Sequence, residues 1–195
     1  MSSNSERFYT IMKKEQKDSE TTCSLRQLDA GNPSELEKYE RALFRAFLPV
    51  WSNTSDRIFI VDSQARRLRS RIEYAQQEIL VIERAGAVLG GIAVNYDREG
   101  TLQLELLGFR IDRSQRFCEA LVLFNNGDLG VSGRLLTIGR KHLKECMVSR
   151  GREIIYGTSN EKNARAYQSI GFTVTDTFNF RNEKKILLAA RVTDW

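Results

Sequence analysis

Residues 78–97, EILVIERAGAVLGGIAVNYD, constrain the fold more than any other stretch. Two apolar runs flank the turn-prone pair Ala85-Gly86, a pattern that predicts an antiparallel hairpin. TLQLELLGFRI alternates apolar and polar residues for part of its length and predicts a further strand. FCEALVLFNN is more continuously apolar, as expected of a strand covered on both faces.

The remaining segments supply cover for such a sheet. CSLRQL predicts a short first strand, broken by AGNPS. In SELEKYERALFRAFLPV, residues Leu36, Tyr39, Leu43, Phe44 and Phe47 recur at helical intervals, and Pro49 ends the helix. DSQARRLRSRIEYAQQ predicts a second helix with a thin apolar face of Ala65, Leu68, Ile72 and Ala75. A longer helix is expected in GRLLTIGRKHLKECMVSRG, where Leu135, Leu136, Ile138, Leu143, Cys146 and Met147 share one broad face. EIIYGTS then predicts a buried strand, NARAYQSIG a short helix, and TVTDTFNFR with KKILLAARV a closing hairpin. The order predicts an α/β (α+β) fold: a mixed, mostly antiparallel central sheet with flanking helices.

With 195 residues, 41% of them apolar and 28% charged, the chain suits one domain over residues 21–195, after a polar tail at residues 1–20. No apolar run approaches the roughly 18 residues that span a bilayer, and MSSNSERFYT does not resemble a signal peptide. Cys23, Cys118 and Cys146 lie far apart without ligand-like spacing, which predicts reduced thiols, a cytoplasmic location and no metal site. The net charge of +5 is a mild bias that suits a phosphate-bearing ligand, an acidic protein or weak nucleic-acid contact about equally. Arg66, Arg67, Arg69 and Arg71 form a denser run, read as a charged helix surface, and no recognition element argues for a nucleic-acid reader.

The link between the central strand and the long helix reads NNGDLGVSGRLL, with Gly127, Gly130 and Gly133 at intervals of three. Glycine lets a backbone come close to a ligand, so the amides of Leu129, Gly130, Val131, Ser132 and Gly133 can form an anion cradle with the helix's positive end. A glycine-rich start of a helix that binds nothing is the plainer reading. Neither a P-loop nor a GxGxxG fingerprint is present.

GVSGRLL resembles the acyl-CoA-binding segment of the GCN5-related N-acetyltransferase (GNAT) superfamily, in which Arg or Gln, two residues, Gly, one residue, Gly or Ala, and two residues precede Leu. Gly130 and Leu135 match, Ser132 takes the second small position, and Gly127 stands where Arg or Gln is usual. NEKNARAYQSIGF resembles the superfamily's following helix through Asn160, Tyr167, Gly171 and Phe172; Asn163 replaces the usual Ala. The resemblance covers the second half of the chain. It implies acetyl-CoA, or another acyl-CoA, as donor to a primary amine on a small molecule or peptide. The amine attacks directly, without a metal, and the pantetheine arm lies in a V between two splayed strands. With such a donor, amides near Leu123 can polarise the thioester carbonyl, Asn160 can orient the pantetheine amides and Tyr167, and Arg134, which opens the helix beside the cradle, can reach a phosphate.

Tyr167 is then the candidate acid for the leaving thiolate, against the reading of a core tyrosine. Glu119 is the candidate base for the incoming ammonium, against the readings of a partly buried acid paired with an Arg or an edge residue facing water; Glu105 is a lesser candidate. Asn160 also suits a helix cap, and Gly171 a left-handed helix end that returns Phe172 to the core. His142 is expected on a solvated helix side. Phe44, Phe47 and Trp51 are expected to form a substrate wall. Two further readings stay open: a longer acyl donor carried by CoA or an acyl carrier protein, and a binding or regulatory protein without turnover, which Gly127 favours.

Overall fold

The computed structural model describes residues 23–48, 57–126, 129–180 and 182–195, and for residues 129–136, 162 and 166 the main chain alone. The expected tail, Pro49, Trp51, Gly127 and Arg181, and the side chains of Ser132 and Arg134, lie outside this description.

Seven strands form the central sheet: β1 (Ser24–Gln27), β4 (Gln77–Arg84), β5 (Ala87–Asn95), β6 (Phe117–Asn125), β7 (Ile154–Asn160), β9 (Glu183–Arg191) and β8 (Thr173–Phe180), in that spatial order. Every neighbouring pair is antiparallel except β6 and β7, which are joined by the long helix α3 (Leu129–Ser149). Parallel neighbours need a crossover, and this helix supplies it. The β4–β5 turn has both Ala85 (φ 50°) and Gly86 (φ 74°) left-handed, the geometry that lets two residues reverse a twisted hairpin.

Two apolar layers cover the sheet. On one face Leu80, Ile82, Ile92, Cys118, Ala120 and Ile155 meet Leu143 and Met147 of α3 and Ala164 of the short helix α4 (Glu161–Gln168). On the other, Ile79, Val81, Ala93, Leu121, Val122 and Phe124 meet Tyr39, Leu43 and Phe44 of α1 (Pro33–Phe47). Asn32 caps α1, accepting from the amides of Ser34 and Glu35 at 3.0 and 3.4 Å.

The helix expected over DSQARRLRSRIEYAQQ is instead a separate hairpin, β2 (Phe59–Asp62) with β3 (Arg67–Ser70), followed by a turn of 3-10 helix at Tyr74–Gln76. Buried Leu68 and Ile72 face α1. Glu40 of α1, only 2% exposed, takes an ion pair from Arg67 and a 2.8 Å hydrogen bond from the Tyr74 hydroxyl. The basic run is therefore not a helix surface, and Arg67 serves the core. The strand expected from TLQLELLGFRI is also absent: Gln103–Leu106 forms a one-turn helix, α2. The carboxylate of Glu119 receives the amides of Gln103 and Leu104, and this long-range cap outweighs local alternation.

Phe44 is buried and Phe47 packs near Phe59, with ring centroids 6.4 Å apart, so this part of the expected substrate wall belongs to the core.

Candidate active site

The site grows from an irregularity in β6. Against β5, Val94 pairs with Ala120 but Ala93 pairs with Val122, so Leu121 is an extra residue. Such a bulge bends its strand and increases its twist. Its effect is visible in the side chains: Cys118 and Ala120 face the α3 layer, whereas Leu121 and Val122 both turn to the α1 layer.

On the other side of β6 the parallel pairing with β7 runs from Phe117↔Ile154 to Ala120↔Gly157 and stops there, although both strands continue. A V opens beyond Ala120, immediately at the bulge. The Asn126 amide donates to the Leu89 carbonyl at 2.8 Å, which sets the strand's phase. By alternation, Val122 and Phe124 direct main-chain groups to β5, and Leu123 directs its amide into the V. Leu123 is half-buried and packs on the α3-side layer.

At the end of β6, α3 begins at Leu129. The amides of Leu129, Gly130 and Val131 lie in its first turn, ahead of the point where helical acceptors begin; that of Gly133 faces the Leu129 carbonyl within the helix. Ser132 and Arg134 stand in the same first two turns. Main-chain donors at a helix's positive end suit a diphosphate, each charge gaining about 0.3–2 kcal/mol.

Across the V, β7 ends at Asn160, whose side chain caps α4 by accepting from the Asn163 amide at 2.9 Å. Tyr167 lies in the last turn of α4, partly buried, its ring edge-on to Phe172 with centroids 5.5 Å apart. Burial pushes its phenol well above the ordinary value, so the proton stays on at neutral pH. Among the described residues its hydroxyl has no hydrogen-bond partner. Gly171 (φ 101°) ends the helix and returns Phe172 to the core.

Glu119 sits on the opposite face of the sheet, 2% exposed. Its oxygens accept from the amides of Gln103 (3.0 Å) and Leu104 (2.9 Å) and from Asn95 Nδ2 at 3.4 Å. No Arg or Lys pairs with it among the described residues. Burial raises its carboxyl above the usual range, and the three hydrogen bonds only partly offset that. Gln103 also reaches β7, donating from Nε2 to Thr158 Oγ1 at 3.4 Å, so α2 bridges the two strands on the Glu119 side. Glu105 is committed to Arg113 at the surface.

No protein-family model matches the chain, and no curated protein matches its sequence. Solved structures do. The AHL synthase LasI superposes with a TM-score of 0.67 at 14% identity, over 88% of this chain and 90% of that one. FeeM, an N-acyl amino acid synthase from uncultured soil microbes, gives 0.59 at 12% identity over 89% and 92%. The aminoglycoside 6'-N-acetyltransferase from Enterococcus faecium gives 0.55 at 13% identity over 87% and 97%. The chain has the GNAT fold.

The pairing breaks off at Ala120↔Gly157, between the two strands where the family resemblance implies a V. Sequence reasoning missed what opens it: a bulge leaves no local pattern in FCEALVLFNN. It also missed Gln103, whose role follows from a contact with Thr158, distant in the chain. His142 is not simply solvated. It and Cys146 converge on Glu78 at the far end of α3.

Proposed function

We propose that the chain is an acyltransferase that moves an acetyl group from acetyl-CoA to a primary amine by direct attack. The observation that carries this reading is the V beyond Ala120↔Gly157, with the Leu123 amide turned into it and the first turn of α3 at its end.

The reaction assigns work to each element. The first-turn amides of α3 hold the diphosphate, and the V takes the pantetheine arm as a strand-like partner. The amide of Leu123 polarises the thioester carbonyl and stabilises the oxyanion that forms when the amine attacks. Glu119, reached through a water from the opposite face, accepts the proton that the ammonium must lose; its raised pKa suits that task. As the C–S bond breaks, Tyr167 supplies a proton to the thiolate and CoA leaves as the free thiol; the second proton lost by the amide nitrogen goes to solvent, from which the phenolate is reprotonated. Acid and base thus approach one thioester from opposite sides of the sheet. Asn160 is occupied as a helix cap through its side-chain oxygen, which leaves its amide group for a pantetheine carbonyl.

A second reading, a longer acyl group delivered by CoA or an acyl carrier protein, has its own support: LasI and FeeM superpose with higher TM-scores than the aminoglycoside enzyme. A thiol-release assay separates the readings. Acetyl-CoA, a series of longer acyl-CoAs and the same acyl groups on an acyl carrier protein are offered with pooled small amines and amine-bearing peptides. Release with acetyl-CoA that falls as the chain lengthens supports acetyl transfer, and the reverse order supports the second reading. CoA binding without release from any donor would remove both and leave a binding protein.

A further inference from the structure

Glu78, at the start of β4, meets His142 and Cys146 of α3 on the face away from Glu119. His142 and Cys146 are four residues apart and therefore neighbours on one helical face. His142 Nε2 lies 2.8 Å from Glu78 Oε1, Cys146 Sγ lies 3.2 Å from the same oxygen, and the sulfur and the nitrogen are 3.2 Å apart. Three lone-pair atoms of three chemical kinds thus form a triangle. A catalytic relay would use the two imidazole nitrogens for different partners. Here one nitrogen faces both the carboxylate and the thiol, which is the arrangement of groups converging on a common point.

From this convergence we propose that Glu78, His142 and Cys146 form a zinc site that clamps α3 to β4. Zinc bonds of about 2.0–2.2 Å to nitrogen and oxygen and about 2.3 Å to sulfur, at tetrahedral angles, separate ligand atoms by roughly 3.3–3.6 Å. The triangle has to open by about 0.3–0.6 Å to reach that size, a side-chain adjustment. On binding, the metal replaces the protons that now hold the triangle together, and the thiol proton leaves to solvent.

The surroundings fit. Arg150 pairs with Glu78 Oε2, which fixes the carboxylate and leaves Oε1 as a single ligand atom. The guanidinium itself rests on the Tyr96 ring, 4.3 Å from its centroid. The Tyr96 hydroxyl is buried and has no partner among the described residues, and Tyr96 lies within electrostatic reach of Glu78, Cys146 and Arg150. His142 is one-third exposed, so zinc can enter from solvent and keep a water as fourth ligand. Carboxylate and thiolate offset the metal's two charges, and the Arg150 guanidinium, which also bonds Cys146, leaves the site with a net positive charge open to an anionic or water ligand. The cysteine spacing gives no hint of such a site, because the ligands come from two elements that meet only in the fold. The ligands are roughly 20 Å along α3 from its first turn, so the metal acts on how firmly the helix is seated.

The test uses the full chain, stripped with a chelator and titrated with Co2+, then Zn2+. The expected result is a tetrahedral cobalt spectrum with a thiolate charge-transfer band, saturating at one Co2+ per chain and erased by Zn2+. Cys146→Ser should remove the charge-transfer band, His142→Asn should weaken Co2+ binding by about tenfold or more, and Cys23→Ser should change nothing. Zinc should also raise the melting temperature of the unsubstituted chain, and by less that of His142→Asn at the same zinc concentration. Absence of the spectrum at excess cobalt, or a charge-transfer band that survives Cys146→Ser, overturns the proposal. Circular dichroism of each stripped variant confirms that it is folded.

Discussion

Ala120 pairs with Gly157, and this is the last main-chain pair between β6 and β7. The two residues stand at the fork of the V, and both are small. A Cβ built on Gly157 would lie 3.5 Å from the Ala120 Cβ and 3.9 Å from the Phe172 ring, ordinary contact distances. Gly157→Ala should therefore leave stability within about 1 kcal/mol and retain the thermal shift given by CoA. Gly157→Leu fills the fork and should abolish that shift while the chain stays folded. Undiminished CoA binding by the Leu variant would place the acyl donor elsewhere.

Tyr167→Phe separates the phenol's chemistry from its packing. The ring contact with Phe172 is kept, and the hydroxyl has no partner to lose among the described residues, so stability should change by about 1 kcal/mol at most. Turnover should fall by about 10²-fold or more, the scale of general acid catalysis. A variant as active as the parent would make Tyr167 a core residue and nothing more.

Glu119 predicts a pH dependence. Burial raises its carboxyl above the usual value, so turnover should rise with pH along a limb displaced above about 4.5. Glu119→Gln should flatten that limb. Stability has the opposite sense. The folded-state pKa exceeds the unfolded one, so this group favours folding below the unfolded value, and that contribution disappears as pH rises through the folded value. Urea titrations across this range should show the trend in the parent and lose it in Glu119→Gln. An identical trend in both would assign it to other groups.

Gly171 is bound by conformation and by space. Its φ is 101°, and a Cβ there would come within 2.8 Å of the Trp195 indole. Gly171→Ala should cost about 1–3 kcal/mol in urea denaturation. Combined with Trp195→Ala, part of that cost should return, leaving the backbone share. Strictly additive losses would show that the indole plays no part.

The elements that were legible in the sequence are those whose signals are local. Ala85-Gly86 between apolar runs specified the β4–β5 hairpin, and Leu36 through Phe47 at helical spacing specified α1. The closing hairpin and the return of Phe172 behind Gly171 were equally local. Two segments misled for one reason. Leu68 and Ile72 have helical spacing, but pairing across β2–β3 and the Glu40 contacts decide their conformation. Leu102 to Leu106 alternates, but Glu119, 15 residues beyond Leu104, supplies the carboxylate that starts a helix there.

For the site, the sequence by itself determined a glycine-rich start to α3, a capped short helix carrying Tyr167, and the order of these elements along the chain. Only the tertiary structure decided that β6 bulges at Leu121, that β6 and β7 part beyond Ala120, and that Glu119 lies across the sheet from Tyr167. Periodicity and caps depend on neighbours within a turn or two of chain. Strand register, buried charge and side chains that converge from different elements depend on contacts whose energy exists only once distant segments have met.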